Sequence, residues 1–123
     1  MTSDKLLELA KEAREQAYVP YSGFRVGAAL LCKDGRVFTG CNLENGAYSP
    51  TLCAERVAFA KALSEGCRGF SAIAVWGTDD KPCPPCGVCR QVMLEHCEGD
   101  FLIHLQGGKT YTLEQLIPYG FSL

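Results

Sequence analysis

The feature that most constrains this chain is the order in which helical and strand-like apolar patterns alternate along it. Residues 3–17 carry apolar side chains at helical spacing, and residues 24–31 and 36–41 are short strand-like runs joined by Lys33-Asp34-Gly35. Apolar positions three and four apart predict one buried helix face, and Asp-Gly between two strand-like runs predicts a hairpin. The chain is therefore predicted to begin as a helix followed by two antiparallel strands.

The rest of the chain continues the alternation with helix, strand, helix, strand, strand and helix. Strands interleaved with helices after a hairpin predict an α/β fold in which a mixed five-stranded sheet has helices on both faces. Its 123 residues are enough for one hydrophobic core and too few for two, so a single domain over residues 1–123 is expected. The later elements are predicted as a helix at residues 52–66, a strand at 71–76, a helix that ends around 97–99, strands at 101–105 and 109–112, and a short helix at 113–117. Gly107-Gly108 is predicted to be a turn.

Charge and hydropathy disfavour several classes of function. The net charge is −2 and the isoelectric point is near 5.6, so the basic excess of proteins that bind nucleic acid through phosphates is missing. No apolar run approaches the length needed to span a membrane. The first residues lack the apolar core of a signal peptide, which predicts a cytoplasmic protein without nucleic-acid or membrane partners.

Eight cysteines in a short chain raise the possibility of a disulfide scaffold. Four of them lie in or beside apolar segments, where a reduced cysteine behaves as a small hydrophobic residue. Without an export signal, reduced thiols are predicted. These four are Cys32, Cys41, Cys67 and Cys97, and the other four lie in compact motifs.

The first compact motif, Cys53-Ala54-Glu55, opens the second predicted helix, and Cys86-Gly87-Val88-Cys89 leads into the third. Three thiolates suit zinc and leave one position of its tetrahedron open for water, whereas structural zinc sites close that position. A glutamate beside the open position can take a proton from water and pass it to a leaving group. The motifs predict Zn²⁺ held by Cys53, Cys86 and Cys89, with Glu55 as the proton shuttle.

Arg56 offers an answer to the charge of such a site. Zinc with three thiolates has a net charge of −1, which opposes the ionisation of bound water. Arg56 lies one helical turn from Cys53 and can hydrogen-bond to the sulfurs. The positive ends of two helix N-termini also favour thiolates over thiols.

Cys83 leaves an alternative open, because Cys83 and Cys86 also have Cys-x-x-Cys spacing. Pro84 and Pro85 deny Cys83 a helical turn, which favours Cys86 and Cys89 as the ligands. A structural zinc site that also uses Cys83 is the remaining alternative.

His96 and His104 are the two histidines of the chain. They are far from the motif in sequence and are expected to have surface or core roles.

Together with Asn42-Leu43-Glu44-Asn45 and Arg90-Gln91, these motifs resemble the short-chain, free-nucleoside type of the cytidine deaminase family over residues 21–121. The resemblance implies a three-layer α/β/α sandwich, one Zn²⁺ per chain and a homotetramer. It also implies water attack at C4 of cytosine in cytidine or deoxycytidine, with loss of ammonia, in pyrimidine salvage. By the same resemblance, the ribose is bound by Asn42 and Glu44, the base by Phe24, the amine by the Ala54 backbone, and a neighbouring subunit's pocket is covered by Phe121.

Three other functions stay open from the sequence. The chain could deaminate another aminopyrimidine nucleoside, such as blasticidin, or a base within RNA. A protein of a different class, a structural zinc module that binds a partner, would have no use for Glu55 beside an open metal site. Asn42 and Glu44 favour a free sugar, and the negative net charge disfavours RNA.

Overall fold

The computed structural model describes residues 1–123, and its elements follow the predicted order. The mixed α/β sheet is confirmed. Strand order is β2-β1-β3-β4-β5, in which β3 and β4 are parallel and every other neighbouring pair is antiparallel. The elements are α1 (Ser3–Ala13), a 3-10 turn (Arg14–Gln16), β1 (Gly27–Cys32), β2 (Val37–Cys41), α2 (Ala54–Ser64), β3 (Phe70–Trp76), α3 (Gly87–His96), β4 (Leu102–Leu105), β5 (Lys109–Thr112) and α4 (Leu113–Leu116).

Helices cover both faces of the sheet, as the alternation predicts. On one face, Leu6, Leu7 and Ala10 of α1 pack against small side chains of β1 and β3. On the other face, α2 and α3 contribute to a core of 17 buried residues that includes Phe59, Met93 and the inner side chains of β1, β3 and β4. The result is a three-layer sandwich, since neither face of the central strands is left to solvent.

Two glycines let the helices approach the strands closely. A Cβ atom at Gly27 would collide with the carbonyl oxygen of Ala10 in α1, and one at Gly40 would collide with that of Ala54 in α2. A side chain at either position would push the helix away from the sheet. Gly40 therefore fixes the start of α2, which is where the first cysteine motif lies.

Most predicted boundaries lie within two residues of the observed ones, and two differ by more. The first helix was expected to run to residue 17, but α1 ends at Ala13 and tightens into a 3-10 turn, a frequent ending of helices. The first strand was expected at residues 24–31, but β1 begins at Gly27. The residues before it, 24–26, are held by the Asn42 side chain instead of by a neighbouring strand. Oδ1 of Asn42 accepts from Val26 N (2.9 Å), and its Nδ2 donates to Phe24 O (2.8 Å).

The sheet brings both cysteine motifs to one edge. In the strand register, the start of β1 at Gly27 lies beside the last residues of β2 and β3, Cys41 and Trp76. The chain enters α2 after β2 and α3 after β3, so both helices begin at this edge. None of the helices is long and apolar enough to cross a bilayer.

Candidate active site

The two cysteine motifs lie at the starts of two helices. Cys53 immediately precedes α2 and Cys86 immediately precedes α3, both with extended backbone, and Cys89 lies in the first turn of α3. Neither Cys53 nor Cys86 uses its side chain to cap its helix. Their sulfurs are therefore available at the positive ends of both helices, where thiolates are stabilised.

The three predicted ligands are brought together. Sγ of Cys53 and Sγ of Cys86 are 3.7 Å apart, and all three sulfurs lie within 4.8 Å of one another. A tetrahedral zinc ion with Zn–S distances of about 2.3 Å would place its sulfur ligands about 3.8 Å apart. No fourth histidine, cysteine or acidic side chain joins the group. The donor set and its spacing fit a zinc ion with one open position.

The thiol of Cys53 is set up to ionise. A hydrogen bond from Cys89 is the main cause that lowers the pKa of Cys53 to about 5, and Arg56 adds to this effect. Donating that bond, together with burial, raises the pKa of Cys89. Nη2 of Arg56 lies 3.5 Å from Sγ of Cys53 and 3.4 Å from the carbonyl oxygen of Thr51. The guanidinium therefore stands beside the sulfurs and offsets their negative charge.

Glu55 is almost completely buried in the first turn of α2, with 4% of its surface exposed. Burial raises the pKa of its carboxyl to about 7, and the negative charge of Cys53 acts in the same direction. A carboxyl with a pKa near neutrality can both accept and donate a proton under physiological conditions. The negative charge of Glu55 in turn raises the pKa of the Cys89 thiol, so the carboxyl lies near enough to act on the sulfur group.

Cys83 is not part of the sulfur group. Its half-buried side chain packs against the core, and burial raises the pKa of its thiol to about 11. The histidines are also outside the group: His104 is paired with Thr110 through Nδ1 (2.9 Å), and His96 stacks near Phe59. All eight cysteines are free of disulfides.

Asn42 and Glu44 both hold the segment that precedes β1. The amide of Asn42 is bound to the backbone of Phe24 and Val26, and the carboxylate of Glu44 accepts from Tyr21 N (2.9 Å), Ser22 N (3.1 Å) and the Ser22 hydroxyl. These bonds lower the pKa of Glu44, with the Ser22 hydroxyl as the main cause. Both side chains have a structural role here that the sequence did not predict.

An open cleft of about 400 Å³ adjoins Glu44. It extends to Thr51, whose carbonyl oxygen is bound by Arg56, so the cleft reaches the chain segment that leads into the sulfur group. The cleft is lined by Tyr21, Ser22, Glu44, Asn45, Tyr48 and Thr51.

The two phenylalanines with predicted site roles lie elsewhere. Phe24 lies with its ring against Gly77, whereas Phe121 is 67% exposed near the carboxyl end.

Two further side chains support the site, and sequence reasoning gave neither of them a role. Arg90 follows Cys89 and donates from Nε to the carbonyl oxygen of Pro85 (2.8 Å) and from Nη1 to that of Leu116 (2.8 Å). Gln91 donates to the carbonyl oxygen of Phe121 (2.9 Å). Their place next to the cysteine motif was the available signal, whereas Leu116 and Phe121, whose carbonyl oxygens they bind, lie 26 and 30 residues further along the chain.

Comparison with known proteins places this arrangement in a family. A model of the cytidine and deoxycytidylate deaminase zinc-binding region matches residues 1–104. A cytidine deaminase of Sporosarcina psychrophila is 52% identical over 126 residues, which cover 99% of this chain and 93% of that protein. The crystal structure of cytidine deaminase from Burkholderia pseudomallei is 48% identical with a TM-score of 0.94, covering 98% of this chain and 100% of that one. The crystal structure of cytidine deaminase from Mycobacterium tuberculosis is 43% identical to this chain with a TM-score of 0.91, and the match covers 100% of this chain and 99% of that one. The chain therefore belongs to the cytidine and deoxycytidylate deaminase family.

Proposed function

We propose that this enzyme hydrolyses cytidine and 2′-deoxycytidine to uridine and 2′-deoxyuridine, with release of ammonia. The observation that carries the proposal is the group of three sulfurs at two helix starts, with the buried carboxyl of Glu55 beside it. A structural zinc site needs no such carboxyl and closes its fourth position. The relatives named above as cytidine deaminases supply the substrate class.

The proposed mechanism divides the chemistry between the metal and Glu55. Zn²⁺, one per chain, would be held by Cys53, Cys86 and Cys89, and would supply the Lewis acidity that lowers the pKa of water. Glu55 accepts the proton of the water that attacks C4 and delivers it to N3 of the base. It then carries the second proton to the exocyclic nitrogen, which leaves as ammonia when the C4–N bond breaks.

The remaining residues bind and orient the nucleoside in this proposal. The Phe24 ring stacks on the base, the backbone at Ala54 contacts the amine, and Asn42 with Glu44 contacts the ribose. An amide and a carboxylate offer one sugar hydroxyl both a donor and an acceptor. Because Asn42 and Glu44 also hold the Phe24 segment, sugar and base recognition would be coupled.

Release of ammonia from cytidine, with and without a zinc chelator, tests the function. We expect release with cytidine and deoxycytidine, its loss after chelation, and its recovery on adding Zn²⁺. Blasticidin S and a single-stranded RNA serve as parallel substrates. Deamination of either in preference to cytidine would replace the proposed substrate, and bound zinc without any deamination would favour a structural zinc module.

We further propose that the enzyme works in the cytoplasm, in pyrimidine salvage, as a homotetramer in which Phe121 covers a neighbouring subunit's pocket. Exposed apolar side chains near the carboxyl end, Tyr119, Phe121 and Leu123, support an assembly that buries them. The eight free cysteines suit a reducing compartment.

Arg56→Ala is expected to weaken zinc binding on acidification. Arg56 lowers the pKa of Cys53, so its loss raises that pKa, and more protons then compete with zinc at a given pH. The pH at which half of the zinc is released should therefore increase, and turnover at neutral pH should decrease. Zinc content measured after dialysis across a pH series checks this, with Arg68→Ala as the control. An unchanged release curve and unchanged turnover would contradict the role of Arg56.

Glu44→Gln is expected to raise the KM for cytidine about tenfold, since a hydrogen bond to a charged group is stronger than one to a neutral group. The glutamine can still accept from the backbone of Tyr21 and Ser22, so stability should change little. The substrate 3′-deoxycytidine isolates the sugar contact. If Glu44 binds the 3′-hydroxyl, the variant and the parent should have similar KM values for this analogue. An equal penalty on both substrates would assign Glu44 to the loop alone.

A further inference from the structure

Gln106 is a buried polar residue that the mechanism does not use. It follows β4, and 3% of its surface is exposed. Its Oε1 accepts from the backbone N–H of Gly77 (2.6 Å), and its Nε2 donates to the carbonyl oxygen of Asp79. Both ends of one buried amide are therefore used by the segment that follows β3, residues 77–79. Such a pair of bonds fixes the path of that segment relative to β4.

Residues 77–79 lie directly against the predicted base-binding side chain. A Cβ atom at Gly77 would be 3.1 Å from Cζ of Phe24 and 3.0 Å from Cβ of Cys83, so the Gly77 backbone touches both side chains. Thr78 holds the residue after Phe24 from two sides. Its Oγ1 accepts from Arg25 N (2.6 Å) and donates to Arg25 O (2.8 Å).

The same segment leads towards Cys86, but that end has its own support. Arg90 holds the carbonyl oxygen of Pro85, the residue before Cys86, at 2.8 Å. Movement of residues 77–79 would therefore reach Phe24 before it reaches the sulfurs. Arg14 also binds the carbonyl oxygen of Gly77 (2.6 Å), so the segment stays attached to α1 and its 3-10 turn without Gln106.

We propose that Gln106 is a positioning residue for the nucleoside pocket, holding residues 77–79 so that Phe24 meets the base in the orientation required for binding. The inference rests on the proposed function and on base stacking by Phe24. Gln106 acts on substrate binding because its contacts lead to Phe24 and Arg25. Zinc binding and proton transfer depend on the sulfur group and Glu55, which Gln106 does not contact.

Gln106→Leu tests the proposal by removing both hydrogen bonds, because it replaces the amide with an apolar side chain of similar size. We expect the KM for cytidine to rise about tenfold, which corresponds to about 1.4 kcal/mol, with kcat changed less than about twofold. Zinc content should stay at that of the wild type. Steady-state kinetics, metal analysis and thermal denaturation are measured on the same preparation.

Gln106→Glu gives a readout that a purely structural role would not produce. A protonated carboxyl can accept from Gly77 and donate to Asp79, whereas the ionised form has lost the donor and faces a carbonyl oxygen. The ratio of the variant's KM to that of the wild type should therefore be near one in acid and rise with pH. Because burial raises the pKa of a carboxyl, the rise is expected above the ordinary range of glutamate.

Thr110→Val is the matched control, because it removes the bond to His104 between β4 and β5 without touching residues 77–79. It should lower thermal stability and leave KM unchanged.

Two results with an active wild-type enzyme would overturn this inference alone. One is an unchanged KM in Gln106→Leu, and the other is a KM ratio in Gln106→Glu that does not depend on pH. An inactive wild type loaded with zinc would instead contradict the proposed function. If Gln106→Leu does not fold, the pH profile of Gln106→Glu decides.

Discussion

Glu55→Gln is expected to retain zinc and to lose about a thousandfold in turnover of cytidine, within the range of about 10²–10⁴ that general acid–base catalysis contributes. The amide has nearly the shape of the carboxyl, so the buried site at the start of α2 can keep its packing. It cannot accept a proton from water or return one to the base. The loss should therefore appear in kcat, with metal content unchanged.

The experiment pairs kcat with zinc content for each preparation. Glu95→Gln, on an exposed residue late in α3, is the matched control and should behave as the wild type. A Glu55→Gln enzyme with more than about a tenth of wild-type turnover would remove Glu55 from proton transfer. Loss of zinc from that variant would instead give Glu55 a part in holding the metal.

Cys86→Ser is expected to abolish detectable activity, to reduce bound zinc well below one ion per chain, and to lower the melting temperature. Removing one of three thiolates weakens a site whose binding free energy also stabilises the fold. Cys86 is exposed and precedes the first residue of α3, a position at which serine is a favourable helix cap. The stability loss would therefore come from the missing metal, because the helix start itself is not impaired.

Cys83→Ser is the control for that variant, since it removes a nearby thiol that lies outside the sulfur group. It should keep zinc and most activity, with a modest loss of stability because the half-buried Cys83 packs against the core. The two variants, Cys83→Ser and Cys86→Ser, are compared by native mass spectrometry for zinc content and by thermal denaturation for stability. Zinc loss in Cys83→Ser would restore the four-cysteine structural site as the better interpretation.

Local patterns predicted the elements of this fold well and their boundaries less well. The hairpin around Asp34-Gly35 and the turn at Gly107 and Gly108 follow from local backbone preferences, and all three glycines adopt positive φ angles. The start of β1 could not be predicted in this way. Its first expected residues, Phe24 to Val26, bind the side chain of Asn42, which comes after the next strand.

The candidate site shows the same division. Spacing and helix chemistry singled out Cys53, Glu55, Cys86 and Cys89, because a thiolate site needs particular donor types near helix starts. The support from Gln106 gave no signal in sequence. A glutamine after a strand is unremarkable until its two partners, Gly77 and Asp79, are seen to be backbone groups of one loop.

The sequence by itself therefore determined the order of helices and strands, the mixed sheet and the identity of the chemical groups, because these depend on periodicity, turn preferences and donor chemistry. Only the tertiary structure decided which thiols meet, how deeply Glu55 is buried, and which side chains hold the loops around it. These properties arise from contacts between residues distant in the chain. Distances and desolvation are properties of the packed molecule, so the pKa of Glu55 near 7 exists only once α2 is packed against the sheet.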